Sequence, residues 1–269
     1  MRSAERPNAR VLREELDFVF QKSLLPHIGL FNSLADKPYA DNKKIKQLII
    51  VLSSSIEQLG LPVINRYKDA LKDIPEFWML GFVRDKDGAN SAFTITKIER
   101  KRPTLGIILL PLKSVAYTVV DSEPAHEFDF CQSSIIQKQY FDNGAVVKKY
   151  VDDDTFLRII KGSKPVNKKT GTYVKNIIDN HSGAIRFVEM ETPLNLIGIA
   201  KNRADIFVQL KPVWGWELGA FDLLIHSCGY MVTGQDGILP VEYNSDRLRI
   251  AGFIAKNNFE YDTLDFNKY

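Results

Sequence analysis

The residues best placed for chemistry lie in one stretch, residues 212–233. Trp216 and Glu217 come first, an apolar run over residues 218–225 follows, and Cys228 and Gly229 close it. An acid in the first turn and a glycine just past the end predict a helix. The first N–H groups of a helix lack intrahelical partners, so its start is a natural platform for an anionic ligand.

The other residues that could do chemistry form no recognisable ligand set. The four histidines are scattered, and the two cysteines have neither metal-ligand spacing nor a disulfide framework. The triplet Asp152-Asp153-Asp154 lacks the spacing of an EF-hand, so capping or solvation is the favoured interpretation. No Ser-His-Asp pattern, P-loop or G-x-G-x-x-G motif is present.

Composition narrows the function classes. The 269 residues carry a net charge of only +3, so we expect no nucleic-acid partner. No apolar run reaches the length of a membrane span, and the N-terminus lacks an apolar signal core, so we expect no membrane partner. Two cysteines that form no framework suit a reducing compartment, and we expect a cytoplasmic protein.

Periodicity and punctuation predict the elements around the candidate stretch. Apolar residues at helical spacing predict helices over residues 11–25 and 43–59, the second closed by Gly60. The Asp triplet predicts a short helix over residues 155–160. A Lys-rich segment, residues 162–171, is expected to be a turn region.

Several segments resemble, in order, the inositol monophosphatase superfamily, and most closely its 3'(2'),5'-bisphosphate nucleotidases. That family has a Lys-Ala-Asp-Ile-Tyr strand, a Trp-Asp-x-Ala-Ala helix and an Ala-Gly-Gly turn. The matching segments here are Arg203-Ala204-Asp205-Ile206-Phe207, Trp216-Glu217-Leu218-Gly219-Ala220 and Cys228-Gly229-Tyr230. Residues 92–98, 102–111 and 250–255 resemble further family strands.

The resemblance implies an α/β fold, the layered α-β-α-β-α sandwich of the inositol monophosphatase and fructose-1,6-bisphosphatase type. It also implies two halves, residues 1–150 and 151–269, in one compact unit with the cleft between them. Family members are commonly dimers, so we expect a homodimer. The strand residues expected to form a shared sheet face are Phe93, Ile95, Ile107 and Leu109.

The family's metal ligands are largely missing from the matching positions. Its Ser-Glu-Glu segment corresponds to Asn65-Arg66-Tyr67. Its Asp-Pro-Leu-Asp segment places one aspartate at Gly81 and the other at Arg84. The Asp of its Trp-Asp helix corresponds to Glu217. Mg²⁺ needs several oxygen ligands, and one carboxylate of the four remains, so we expect no metal cofactor.

The resulting hypothesis is a pseudophosphatase that has lost Mg²⁺-dependent hydrolysis. Arg66 and Arg84 would replace the cations and bind a phosphorylated or sulfated small molecule, beside Trp216 and Glu217. Family members also contact phosphate at a helix start that here includes Thr192 and Asn195. The protein could instead act through protein contacts alone.

Two alternatives remain open. An active Mg²⁺-dependent phosphomonoesterase would need displaced ligands, for which Asp85, Asp87 and Glu217 are the candidates. In the other alternative, Arg66 and Arg84 pair with acids such as Asp69, Asp85 or Glu217 and bind nothing.

Overall fold

Two β-sheets and their flanking helices form the fold in a computed structural model. It describes residues 8–27, 31, 42–67, 74–84, 90–129, 145–146, 156–162, 166–246 and 248–257. The α-helices are α1 (Ala9–Phe18), α2 (Asn42–Ile56), α3 (Lys168–Asn180), α4 (Leu194–Ala200) and α5 (Gly215–Ser227). A π-helical segment, Val19–Leu24, continues α1, and a 3-10 turn, Glu57–Leu59, continues α2.

The first sheet is a meander and the second is mixed. Strands β1 (Val63–Asn65), β2 (Glu76–Val83), β3 (Ala92–Glu99), β4 (Arg102–Leu110), β5 (Val115–Val120), β6 (His126–Asp129) and β7 (Ala145–Val146) follow in spatial order. Only β1 and β2 in this sheet are parallel. The remaining strands are β8 (Phe156–Lys161), β9 (Ala184–Glu189), β10 (Ile206–Gln209), β11 (Val213–Trp214), β12 (Tyr230–Thr233), β13 (Arg249–Ile250) and β14 (Phe253–Asn257). The second sheet has the order β12-β14-β10-β8-β9, while β11 and β13 form a separate antiparallel pair.

Three buried clusters define the layers. Helices α1 and α2 pack on the outer face of the first sheet, and α3 packs on the outer face of the second. The largest cluster joins the inner face of the first sheet to α4, α5 and the inner face of the second. The expected α-β-α-β-α sandwich is therefore confirmed.

Helix α5 is the central element between the sheets. Its residues 218–225 are all buried, because one side contacts β2 to β5 and the other contacts α4 and β12. Small residues permit this close approach: a Cβ at Gly106 would lie 3.3 Å from Cα of Ala220. Although α5 is mostly apolar, no helix among the described residues is long and apolar enough to cross a membrane.

Two local predictions were wrong. Residues 156–161 form strand β8 instead of a helix, because they lie between β9 and β10 with Leu157, Ile159 and Ile160 buried on both faces. The Lys-rich turn region ends early, since Asn167 accepts a hydrogen bond from the Thr170 N–H and α3 begins at Lys168. Asp152 to Asp154 lie outside the described residues.

The sheet face expected to be shared between two copies is covered within the chain. Phe93, Ile95, Ile107 and Leu109 are at most 2% exposed and pack beneath α1 and α2. These four residues are therefore not available to a second copy, and the homodimer stays a prediction without an assigned interface.

A buried acid fastens the segment that precedes β13 to helix α5. The Tyr243 hydroxyl donates to Oδ2 of Asp222 at 3.0 Å, and Nη1 of Arg102 lies 3.4 Å from the same oxygen. The other carboxyl oxygen of Asp222 is buried and makes no hydrogen bond within the described residues. Burial raises the pKa of Asp222 above its ordinary value, although Arg102 and the Tyr243 hydrogen bond oppose this effect.

Replacing Asp222 with Asn should improve stability at higher pH relative to the wild type. A raised native pKa means that the native state holds the proton more tightly, so Asp222's contribution is complete below its unfolded pKa and lost as pH rises through the native pKa. The free energy of unfolding in urea should therefore rise in Asp222→Asn relative to the wild type as the pH increases from about 4 to about 8. Tyr243→Phe keeps the acid but removes a hydrogen bond to its charged form, so it should steepen the dependence. A pH-independent difference for Asp222→Asn would contradict this account.

Candidate functional site

An indole ring fills the place where the resemblance implies the first aspartate. The side-chain direction of Gly81 on β2 points at Trp216, and a Cβ at Gly81 would lie 2.5 Å from Cδ1 of that ring. Trp216 itself is only 5% exposed. Trp216 therefore occupies the space beside Gly81 into which a side chain at that position would extend.

The same tryptophan is fixed through its backbone. Thr94 lies opposite Gly81 on β3, and its buried hydroxyl donates to the Trp216 carbonyl at 2.6 Å. One turn along α5, Gly219 lies against β2 and β3, where an added Cβ would be 2.8 Å from Cε of Met79 and 3.1 Å from Cγ2 of Thr96. The start of α5 is thus locked onto the sheet at two successive turns.

Glu217 caps the helix on which it lies. Its Oε2 accepts a hydrogen bond from the backbone N–H of Trp214 at 3.0 Å, which is one half of a capping box. The next N–H, that of Gly215, donates to the Leu248 carbonyl at 2.7 Å. Two donors at the start of α5 are therefore engaged within the chain, and among the described residues Glu217 forms no ion pair with Arg66 or Arg84.

The end of β1 presents a cation on an aromatic ring. Since Asn65 pairs with Leu80 in parallel register, Arg66 follows beside Gly81. The side-chain oxygen Oδ1 of Asn65 accepts a hydrogen bond from the Tyr67 N–H at 2.8 Å, and the side-chain amide of Asn65 donates to the Ser53 hydroxyl. Arg66 is exposed and lies 5.2 Å from the Tyr67 ring centroid, where Lys46 lies at 5.5 Å. Within the described residues, Arg66 has no acidic partner.

Arg84 directly follows β2 and is exposed. Because β1 and β2 are parallel, Arg66 and Arg84 both follow strand ends at one edge of the sheet. Asp69, Asp85 and Asp87 lie outside the described residues, so their roles stay predictions.

Thr192 and Asn195 interact with each other at the start of α4. The Asn195 amide donates to the Thr192 hydroxyl at 3.2 Å, and Asn195 is 3% exposed. Among the described residues, neither one forms a hydrogen bond with Arg66 or Glu217. The geometry gives them a role in shaping the turn that leads into α4.

Sequence reasoning missed two residues beside the candidate site. Trp214 stacks on Trp216 with ring centroids 4.7 Å apart and an interplanar angle of 9°. Arg249 pairs with Trp214 across β11 and β13, and its guanidinium carbon lies 4.6 Å from the Trp214 ring centroid. The Trp-Gly-Trp spacing hinted at the ring pair, but Arg249 reaches it only through strand pairing.

These described residues do not fit a magnesium site. Gly81 supplies no oxygen ligand and faces an indole, the Asn65 oxygen serves a turn, and Arg66 is a cation. Glu217 alone offers a carboxylate, whereas Mg²⁺ requires near-octahedral oxygen coordination. In the part of the chain that the structure describes, no group of three or more His, Cys, Asp and Glu side chains could hold a metal ion.

Comparison with known proteins places the fold. No family model matches the chain, and no curated protein matches it. One similar structure is that of CysQ from Bacteroides thetaiotaomicron, a bacterial member of the inositol monophosphatase family. Its TM-score is 0.75 at 16% identity, and the match covers 94% of this chain and 100% of CysQ. Inositol monophosphatase II from Staphylococcus aureus MSSA476 is similar with a TM-score of 0.65 and 12% identity, and the match covers 92% of this chain and 89% of that protein. The Thermotoga maritima inositol monophosphatase is similar with a TM-score of 0.60 and 14% identity, and the match covers 95% of each chain.

The likeness confirms the resemblance at the level of the fold. It extends over nearly the whole chain, including the segments in which no family motif is legible. At identities of 12–16% it does not carry the neighbours' chemistry to this chain. Function must therefore be argued from the site.

Adding a methyl group at Gly81 should destabilise the protein. Gly81→Ala drives a Cβ into the Trp216 ring, and overpacking of this kind costs about 1–3 kcal/mol. Gly162→Ala is the matched control, because a Cβ there meets nothing within 4 Å. Urea unfolding measures both variants, and Gly81→Ala/Trp216→Leu should recover part of the loss in a double-mutant cycle. Equal stability of the two alanine variants would contradict the close contact.

Proposed function

We propose that this chain binds a phosphorylated or sulfated small molecule at the sheet edge near Arg66, Arg84 and the start of α5, and that it does not hydrolyse phosphate esters. One observation carries the loss of hydrolysis: the Trp216 indole lies against Gly81, where the resemblance implies a metal-binding aspartate. A single described carboxylate, Glu217, cannot replace the ligand set that a metal-assisted displacement requires.

Positive charge supports the anion-binding half of the proposal. Arg66 and Arg84 follow neighbouring strand ends, and both are exposed. A guanidinium stays charged at physiological pH and matches a phosphate or sulfate group with two parallel hydrogen bonds. The carboxylate of Glu217 would repel an anion if it turned toward the ligand, but its bond to the Trp214 N–H holds it in a capping role.

Contrast with the rest of the chain strengthens this point. Buried cations here are matched by acids: Arg158 binds Asp205 with its nearest contact at 2.6 Å, and Lys97 binds Glu15 at 2.7 Å. Arg66 instead rests on an aromatic ring. Its donors are therefore available to an anion from solution.

The purified protein should not hydrolyse inositol monophosphate or 3'-phosphoadenosine 5'-phosphate with Mg²⁺. Phosphate release is measured over hours at high protein concentration, and Glu217→Ala prepared in parallel reports contaminating phosphatase. Turnover at ordinary enzyme rates, on the order of 1 s⁻¹ or more, that disappears in Glu217→Ala would overturn the loss of hydrolysis. That result would favour the displaced-ligand alternative.

Anion binding should survive removal of divalent ions. Charge-assisted hydrogen bonds contribute about 1.5–3 kcal/mol each, so two of them, less ordering costs, correspond to a dissociation constant in about the micromolar to millimolar range. Calorimetry in EDTA with sulfate, phosphate and adenosine 3',5'-bisphosphate measures it. Arg66→Ala and Arg84→Ala should each weaken binding about tenfold.

Arg10→Ala is the control for that experiment, because Arg10 lies on α1 in an exposed pair with Glu14. The binding proposal is refuted if no anion binds the wild type, or if Arg66→Ala and Arg84→Ala both keep its affinity. If the wild type hydrolyses a phosphate ester with Mg²⁺ and still binds anions in EDTA, the loss of hydrolysis is refuted while anion binding stands.

A further inference from the structure

A column of three stacked side chains runs from the core to the surface beside the candidate site. Gly81 and Trp216 form its buried base, Trp214 lies on Trp216, and Arg249 lies on Trp214. We propose that Arg249 is an anion-binding residue, which presents its guanidinium to a phosphate or sulfate ester beside the start of α5. This inference rests on the proposed anion-binding function and assigns a residue to it.

Strand pairing sets the position of Arg249. Arg249 and Trp214 are direct partners in the antiparallel β11–β13 pair, and the neighbouring Leu248 carbonyl accepts the Gly215 N–H at the start of α5. Ring stacking then fixes its side chain relative to Trp216, which the sheet holds at Gly81. Two indole rings, those of Trp216 and Trp214, therefore lie between Arg249 and strand β2, the strand that Arg84 follows.

The Arg249 guanidinium keeps N–H donors for a ligand. Its carbon lies 4.6 Å from the Trp214 ring centroid, and the attraction between a cation and a ring does not require the donors to form hydrogen bonds. Arg249 is exposed, and within the described residues its side chain makes neither a hydrogen bond nor an ion pair. The ring restricts the side chain before a ligand arrives, which lowers the ordering cost of binding.

The neighbouring ring indicates the ligand class. Trp214 is 39% exposed, although Trp216 is stacked on its ring and Arg249 also lies over that ring. A phosphate or sulfate ester with an apolar or aromatic organic group could place its anion on Arg249 and its organic group against the exposed part of Trp214. Such an ester should therefore bind more tightly than the inorganic ion.

The test compares variants by calorimetry in EDTA with two probes, inorganic sulfate and 4-nitrophenyl sulfate. We expect the wild type to prefer the aryl sulfate, and Arg249→Gln to lose about tenfold or more affinity for both probes. Arg249→Lys keeps the charge but loses the planar fork, so it should lose less. Trp214→Leu keeps Arg249 but removes the exposed ring, so it should abolish the preference for the aryl ester.

Arg186→Gln is the matched control. Arg186 is also an exposed arginine on an aromatic ring, 5.2 Å from the Phe156 centroid, but it lies on the edge strand β9 of the other sheet. Its affinity for both probes should equal that of the wild type. Thermal unfolding of each variant, together with the graded loss from Lys to Gln, distinguishes a ligand contact from a change in folding.

The outcomes separate this inference from the function on which it rests. If the wild type binds sulfate and Arg249→Gln binds it equally well, the role of Arg249 is overturned while the proposed function stands. If the wild type binds neither probe, both are overturned. If Arg249→Gln does not fold, Arg249→Lys and Trp214→Leu decide, and unchanged binding by both refutes the inference.

Discussion

The contact between Trp216 and Gly81 is the constraint on which the arrangement of the candidate site depends. Interiors are close-packed, so a side chain as large as an indole needs a gap in the facing strand to approach its backbone. Gly81 provides that room on β2, and Gly219 provides it on the helix. The hydrogen bond from Thr94 to the Trp216 carbonyl then fixes the helix start along the strand. An aspartate at position 81 and this placement of the indole are mutually exclusive.

Many consequences follow from that one placement. Glu217, one residue on, is directed back to the Trp214 N–H and becomes a cap. Trp214 is brought parallel to Trp216, and its other contact, Arg249, arrives through the β11–β13 pair. Farther along the same helix, Asp222 fastens the segment around Tyr243 that leads to β13. The start of α5, the Trp216-Trp214-Arg249 column and the segment leading to β13 are thus connected by direct contacts.

Sequence alone predicted the layers better than the contacts. The strands from Trp78 to Leu110 and helix α5 were legible because their apolar runs and glycines agree with the family's order. Strand β8 was misread because an Asp triplet suggested a helix start, whereas pairing with β9 and β10 decides its state. Sequence indicated that carboxylates were missing, but Trp216 filling the gap and Arg249 reaching the site depend on tertiary packing. Such packing leaves no local signal.

The proposed function differs from metal-assisted hydrolysis in what carries the positive charge. In a metal-dependent phosphatase, carboxylates hold cations and the cations recruit phosphate. In the proposed function, two arginines supported by aromatic rings take the role of those cations, Arg66 on Tyr67 and Arg249 on Trp214. A guanidinium can hold a phosphate group, but it cannot generate a metal-bound nucleophile or coordinate the attacking and leaving oxygens together. A site of this kind, as proposed, would recognise an anion without cleaving its ester. The contact between Gly81 and the Trp216 indole is the observation on which the loss of hydrolysis is proposed.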